Sequence, residues 1–448
     1  MPVRIVLEAW RVFQLLQGVE LIALSLGEVS AVAAGQLEAA RGAERVTGVQ
    51  IDSRRIEIGD LFVAVGAGSA YCSEALAQGA AAALLPDDPH AALAAIGRAV
   101  RARSTAQFVG ITGSTGKTST KDILAAICSP RRRTVASERS YNAELGVPLT
   151  LCRVEEDTEV CILELAMRGH GQIAALCEIA RPEIGVITNV GPAHLALVGS
   201  LEGVARAKGE LIQALPAGGI AIVPAEALGL PRRADVEVRR FSPSQIQSFE
   251  VLERGSRAVL EPVGGGEPRT FRFSFTARHQ AVNALAAFAA YEALGLPLEE
   301  LGEVDVRFSA WRGEEVALAG GGLLINDTWN ANPVSMRAAL EHLAARAGTR
   351  RRVAVLGDMA ELGADGPRYH REIAEAISRA GVELLFASGP LAEGYATPDT
   401  RVWWQGAPDP ESLLAAIREE LRPGDCVLVK GSRSMGLDVV ADALTAAH

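Results

Sequence analysis

The chain has 448 residues, 49% apolar and 22% charged, the balance of a folded, core-forming protein rather than a disordered one. Its formal charge of −10 lacks the basic excess of a nucleic-acid coat or a membrane-surface binder, and at about 150 residues per domain the length predicts about three domains. No window reaches the roughly 18 uncharged apolar residues of a membrane span, so neither nucleic acid nor membrane is an expected partner.

The amino-terminal stretch MPVRIVLEAWRVFQLLQGVELIAL is interrupted by Arg4, Glu8, Arg11 and Glu20, and no cleavage site follows it. A secretory signal is therefore not expected, and the protein is placed in the cytoplasm. Six cysteines are scattered without a CxxC pair or a zinc-type spacing, which fits buried thiols in a reducing compartment. Glycine is 45 of 448 residues, about 10%, an excess that many strand-to-helix turns would produce.

Short apolar runs alternate with Ala/Leu/Glu-rich helical stretches from residue 60 onward. The runs are 60–65, 107–112, 160–165, 184–190 and 219–223, then 323–327, 352–357, 384–389 and 426–430. Continuous apolar strands between helices indicate parallel sheets covered on both faces, hence an α/β fold. Three stretches differ in texture and predict three domains. Residues 1–105 are Ala-rich, 106–314 contain the polar motifs taken up below, and 315–448 restart the strand–helix alternation. The central unit contains a region of shorter strands and turns at about 232–276. The glycines at 320–322 are read as a hinge, and the arginine triplets 131–133 and 350–352 as solvated helix ends or strand leads.

The strongest local signal is QFVGITGSTGKTSTKDILAAI, residues 107–127. An apolar strand runs into Gly113, Ser114, Thr115, Gly116, Lys117 and Thr118, and an amphipathic helix with Ile123, Leu124 and Ile127 follows. Glycines let successive backbone N–H groups point at phosphate oxygens, and the new helix adds its positive end. Lys117 would neutralise the β- and γ-phosphates of ATP, and Thr118 would place a hydroxyl on Mg²⁺. The loop is a shortened phosphate-binding pattern, because Ile111 stands where the longer form has glycine. The bland alternative is an ordinary glycine turn with an exposed lysine.

Glu164 ends the apolar run VCILEL, where open α/β sheets bind their ligands and where an unpaired carboxylate would be costly. The next run leads to His194, and GSLEGVARAKGEL places Lys208 on a helix. Hard Mg²⁺ seeks oxygen, so Glu164 is a candidate ligand. Taken singly, Glu164 could equally pair with an arginine, His194 be a loop histidine and Lys208 a solvated lysine.

In chain order the motifs DSRRIEIGDLFVAV (52–65), GITGSTGKTSTKD (110–122), SYNAELGVPLTL (140–151) and ELAMRGHGQI (164–173) occur. They are followed by TNVGPAHLALVGSLEGVARAKGEL (188–211), RHQAVNALAA (278–287), DTWNANPVSMRAAL (327–340), VLGDMAELG (355–363) and VKGSRSM (429–435). Over roughly 23–440 this series resembles the Mur ligase family. The 327–340 and 355–363 motifs resemble most the members that add D-alanyl-D-alanine to UDP-N-acetylmuramoyl-tripeptide in peptidoglycan synthesis.

The resemblance implies an ATP-dependent, ADP-forming amide ligase with those two small-molecule substrates, working as a monomer, built as a smaller α/β UDP-substrate-binding domain (1–105), a central P-loop parallel-sheet ATPase domain (106–314) and a carboxy-terminal Rossmann-like domain (315–448). It implies nucleotide binding by residues 113–118, with Asn283 at the adenine and Arg312 and Asp327 at the phosphates and ribose. It implies a site with two Mg²⁺ served by Thr118, Glu164, His194 and a Lys208 carbamylated on its amine. Lys117, Glu164, His194 and Lys208 are then the catalytic set, and Ser53, Asn142, Asn330 and Ser335 face substrate.

Departures from the family pattern fall at 66–75, which reads GAGSAYCSEA without the usual Asp-Gly-His, and at Ala143, Gln280 and Trp329. Residues 1–20 precede the usual start as an extension. The altered 66–75 segment keeps open a related ligase joining a different carboxylate and amine. A P-loop kinase or nucleotide-binding regulator is the reading from another class.

Overall fold

A computed structural model describes residues 22–138 and 141–446, so the extension at 1–20 lies outside the described residues. The runs marked as strands in the sequence form the interior of three separate sheets. No helix among the described residues is long and apolar enough to cross a membrane.

The amino-terminal sheet has four strands, β1 (Gly35–Ala39), β2 (Gly48–Gln50), β3 (Asp60–Val63) and β4 (Ala82–Pro86), in the order β1-β4-β3-β2. Helix α1 (Pro89–Arg103) buries Leu93, Ile96 and Val100 one helical turn apart, and Asp88 caps it by accepting from the His90 and Ala91 N–H groups. The altered 66–75 segment forms a short 3₁₀ turn (Gly66–Tyr71) running into a helix (Cys72–Ala77).

The central sheet contains β5 (Gln107–Thr112), β6 (Thr134–Ala136), β7 (Val160–Glu164), β8 (Ile184–Ile187), β9 (Ile220–Pro224) and β10 (Glu237–Phe241). Its order is β10-β9-β8-β5-β7-β6, and all its strand pairs are parallel. Register sets the site. Ile111 lies beside Glu164, and Thr112 beside Ile187, so three strands end together at one edge.

Helix α2 (Lys117–Cys128) follows β5 and packs its Ile123, Leu124 and Ile127 with Ala281, Ala284 and Phe288 of α3 (Arg278–Ala293). The opposite face of the sheet is covered by the helix Leu201–Ala214, whose Val204, Leu211 and Ile212 belong to a different core. Helices leaving β5 and β8 on opposite faces open a crevice at their carboxyl ends, where such sheets bind ligands. The 232–276 region adds an antiparallel three-stranded sheet, β11 (Ile246–Val251), β12 (Ser256–Leu260) and β13 (Arg269–Phe273).

The carboxy-terminal sheet comprises β14 (Glu314–Leu318), β15 (Gly322–Asp327), β16 (Arg352–Gly357), β17 (Leu384–Ser388), β18 (Arg401–Gln405) and β19 (Cys426–Lys430). Its order is β14-β15-β19-β16-β17-β18, with only β14 antiparallel. Asp327 and Lys430 are register partners at the ends of β15 and β19. Helix α4 (Pro333–Ala347) follows β15 and is capped by Asn332.

The 320–322 glycines are not a hinge. They form the tight turn of the β14–β15 hairpin inside this one sheet, with Gly320 at φ +68° against Pro423. The connection between the two large sheets is instead held by Asp122 of α2, which accepts from the Ser309 N–H at 2.8 Å. The arginines 131–133 make ion pairs on the surface with Glu300, Glu159 and Asp157.

Candidate active site

A cavity of about 790 Å³ opens where the central sheet's crevice meets the edge of the carboxy-terminal sheet. It is lined by the loop 114–118, by Asn142, Glu164 and His194, and by Asn283, Arg312, Asp327, Asn330 and Ser335.

The phosphate loop is built by two glycines. Gly113 has φ +155°, and a Cβ there would lie 1.8 Å from Thr188 Oγ1, so the loop hugs the end of β8. Gly116 has φ +78° and begins α2; a Cβ there would lie 2.4 Å from Asn283 Oδ1. Asn189, just past β8, braces the loop by accepting from the Thr115 N–H at 2.8 Å and donating to Thr115 Oγ1 at 2.6 Å. Ser114 Oγ donates to the Gly191 carbonyl at 2.9 Å. Lys117 Nζ curls back to the Gly113 carbonyl at 2.8 Å, and burial lowers its pKa while the nearby Glu164 pulls it the other way.

Thr118 and Glu164 are each 1% exposed. Thr118 Oγ1 donates to Glu164 Oε2 at 2.7 Å, and Asn142 Nδ2 donates to Glu164 Oε1 at 2.7 Å. A hydroxyl and a carboxylate side by side next to a phosphate loop make an oxygen donor set that fits Mg²⁺, which keeps several waters and shares phosphate oxygens. No group of three or more His, Cys, Asp or Glu side chains gathers as a metal cage among the described residues.

Lys208 is 2% exposed and does not line the cavity. Its ammonium makes no hydrogen bond among the described residues, and burial, reinforced by the charge of Lys117, drives its pKa well down. His194 lines the cavity in a left-handed backbone conformation, and its Nδ1 meets Glu361. Burial lowers its pKa, against the pull of that carboxylate.

The carboxy-terminal side supplies Asp327, whose Oδ2 accepts from Lys430 Nζ at 2.7 Å; the same ammonium donates to the Asn330 carbonyl at 2.8 Å. Lys430 lines the cavity and is missing from the sequence-derived set, although the motif at 429–435 contains it. Arg312 lines the cavity with its pKa lowered by burial, in the field of Glu164 and Asp327. Ser335 forms a reciprocal cap with Asn332, and Asn332 Nδ2 reaches the Ser114 carbonyl at 3.4 Å, joining α4 to the phosphate loop. Gln280 Oε1 accepts from Asn283 Nδ2 at 2.8 Å, so the replaced residue orients its neighbour. Ser53 is buried in the amino-terminal unit and does not line the cavity. Trp329 stacks on Trp311 with ring centroids 6.1 Å apart.

Residues 111–291 match the family model described as the Mur ligase middle domain, and 311–433 match the Mur ligase, glutamate ligase domain. The chain belongs to the Mur ligase family. Among Mur ligases, the UDP-N-acetylmuramoyl-tripeptide–D-alanyl-D-alanine ligase of Mycobacterium tuberculosis is 36% identical, over 96% of this chain and 98% of its own length. The crystal structure of MurF from Acinetobacter baumannii superposes with a TM-score of 0.81 at 25% identity, covering 96% of this chain and all (100%) of that one. MurF ligase from Thermotoga maritima, solved in complex with ADP, gives a TM-score of 0.77 at 25% identity over 89% of this chain and 97% of the other.

Proposed function

We propose that this Mur ligase joins D-alanyl-D-alanine to UDP-N-acetylmuramoyl-tripeptide at the expense of ATP, forming ADP and phosphate. The relatives that it matches over nearly their full length carry that name. The observation that carries the reading is the single cavity that gathers the phosphate loop, the Thr118–Glu164 pair and the Asp327–Lys430 pair.

In this reading residues 1–105 receive the UDP end, 106–314 hold ATP, and 315–448 present the dipeptide amine. A carboxylate is a poor electrophile, so its oxygen first takes the γ-phosphoryl group to give an acyl phosphate. The dipeptide amine then attacks the carbonyl carbon, and the tetrahedral intermediate expels phosphate to leave the amide. Phosphoryl transfer depends chiefly on positioning and charge neutralisation. The loop N–H groups and Lys117 meet the phosphates, Asn283 the adenine, and Arg312 and Asp327 the phosphates and ribose. Asn142, Asn330 and Ser335 face substrate from either side of the cavity, and Ser53 belongs with the UDP end.

Thr118 and Glu164, with His194 and a carbamylated Lys208, would hold two Mg²⁺. When bound, these ions supply neutralisation of the phosphate charge. The carbamate rests on the unpartnered, buried amine of Lys208. We further propose that the chain acts as a monomer in the cytoplasm.

The test is phosphate release over a matrix of UDP-linked peptides and dipeptides. Release is expected only when UDP-N-acetylmuramoyl-tripeptide and D-alanyl-D-alanine are both present. Full turnover without the dipeptide, or with an unrelated carboxylate instead of the UDP-tripeptide, would overturn the assignment.

A further inference from the structure

We infer that Glu361 is a positioning residue: from the opposite sheet it fixes the ring of His194 through Nδ1 and leaves Nε2 as the nitrogen open to a ligand. The inference rests on the metal-site reading of His194 given above and goes beyond it by assigning a role to the 355–363 motif.

His194 lies in the segment after β8 of the central sheet, whereas Glu361 lies in the loop after β16 of the carboxy-terminal sheet. The two are 167 residues apart in the chain, and His194 Nδ1 contacts Glu361 Oε2. Both have left-handed backbones, φ +57° and +62°, a conformation that non-glycine side chains rarely adopt. Single residues in that region persist where the surroundings hold them, often at functional sites. Here the surroundings are visible. The Ala196 N–H donates to the Glu361 carbonyl at 3.2 Å, and Gly363 is so close that a Cβ would lie 3.3 Å from Ala196 Cα.

The Glu361 loop is braced from behind. The Met359 N–H donates to His370 Nε2 at 2.9 Å, and the Ala360 N–H to Ser432 Oγ at 2.8 Å. His370 is wholly buried, and its Nδ1 contacts the Gly366 carbonyl at 2.7 Å. The carboxylate is therefore carried by a loop whose two preceding N–H groups are both hydrogen-bonded.

A carboxylate oxygen faces Nδ1, so the geometry assigns the ring proton of His194 to Nδ1, donated to Glu361 Oε2. Its Nε2 then carries the lone pair, has no partner among the described residues, and belongs to a ring that lines the cavity. This is the arrangement by which an outer carboxylate selects the tautomer of a ligating histidine and aims it. Because the carboxylate comes from the other sheet, the His194 side of the site is complete only when the two sheets are docked as described.

The test uses the full chain with Mn²⁺ as a paramagnetic probe in the presence of ADP, together with ¹⁵N NMR of the histidine rings. In the wild-type protein His194 is expected as the Nδ1–H tautomer. Glu361→Ala is expected to lose that single tautomer and to weaken Mn²⁺ binding by about 10–100-fold, with metal-free ADP affinity unchanged. Glu361→Gln still offers an acceptor and is expected to keep the tautomer and hold Mn²⁺ within a few-fold of wild type. A wild-type ring protonated on Nε2 would overturn the inference, whether or not the variants fold. So would Glu361→Ala binding Mn²⁺ as tightly as wild type. If the wild-type protein with ADP takes up no Mn²⁺ at all, the metal-site reading fails and the inference falls with it, an outcome distinct from the other two.

Discussion

Thr118 and Glu164 stand 46 residues apart in the chain, yet the threonine hydroxyl donates to the glutamate carboxylate at 2.7 Å in the buried floor of the cavity. The parallel register of β5 and β7 brings them together, since it sets Ile111 beside Glu164 and starts α2 just beyond. Each satisfies the other, so neither buried polar group is stranded.

Glu164→Gln keeps an acceptor for Thr118 but removes the charge. Phosphate release is expected to fall by about 100–1,000-fold, the usual loss when one preorganised electrostatic partner of a transition state is removed. Affinity for the UDP-tripeptide is expected to stay within a few-fold. Steady-state kinetics alongside calorimetric titration separates the two; an unchanged turnover rate would remove Glu164 from the site.

Gly116→Ala would force a methyl to within 2.4 Å of Asn283 Oδ1 at a left-handed φ of +78°. Nucleotide binding by calorimetry is expected to weaken by at least about 10-fold, because both the loop and its asparagine neighbour must shift. Gly66→Ala is the control. It has φ +57° but nothing within 4 Å, so it should carry only the backbone penalty of about 1 kcal/mol and leave nucleotide binding alone.

Lys208→Arg keeps a cation but cannot form a carbamate under assay conditions. Activity is expected to fall to background, while MgADP still binds. In the wild-type protein, ¹³C-bicarbonate should give a carbamate carbon resonance that Lys208→Arg lacks. A variant that retains wild-type turnover would show that the buried amine has no such role.

Glu315 links β14 to α4 and to the segment before α3. Although burial pushes its pKa up, hydrogen bonds from His342, Arg346 and Thr276 bring it down from 4.5 to about 2. The unfolded chain therefore binds the proton first as pH falls, and this stabilisation is complete above pH 4.5 and lost between there and about 2. Glu315→Gln is expected to destabilise the protein at neutral pH by about 2–4 kcal/mol, since Arg346 loses its part-buried partner. Its stability should also depend less on pH across that acid window. Urea melts at several pH values measure both.

All six cysteines are unpaired, and five are buried. Burial pushes the thiols of Cys128, Cys152, Cys161 and Cys177 up to about 12 and that of Cys426 to about 11. Reaction with a thiol reagent requires thiolate and access. Burial and the charge of Glu38 raise the Cys72 thiol too, but it alone is only half-buried, so one thiol per native chain is expected to react, slowly, and all six after denaturation. A native count of three or more would contradict this packing.

Much of the site was legible in the chain because its central part is local. A cradle of consecutive N–H groups needs only glycines at the right places between a strand and a helix, and Gly113, Gly116, Lys117 and Thr118 are contiguous in that context. Strand runs such as 107–112, 352–357 and 426–430 were equally readable, since fully buried parallel strands leave an unbroken apolar signature. The glycines at 320–322 misled because a glycine run marks a turn without saying whether the turn lies between sheets or within one.

What the sequence determined by itself was the α/β alternation, the phosphate loop and the carboxylate at the end of a buried strand. Tertiary structure decided which partner each polar group meets. Lys430 beside Asp327, Asn332 on the phosphate loop and Glu361 on His194 all join distant segments. The physical reason is range. Backbone conformation and apolar burial follow from neighbours along the chain, whereas the second partner of a carboxylate, ammonium or imidazole depends on strand register and on how two sheets dock.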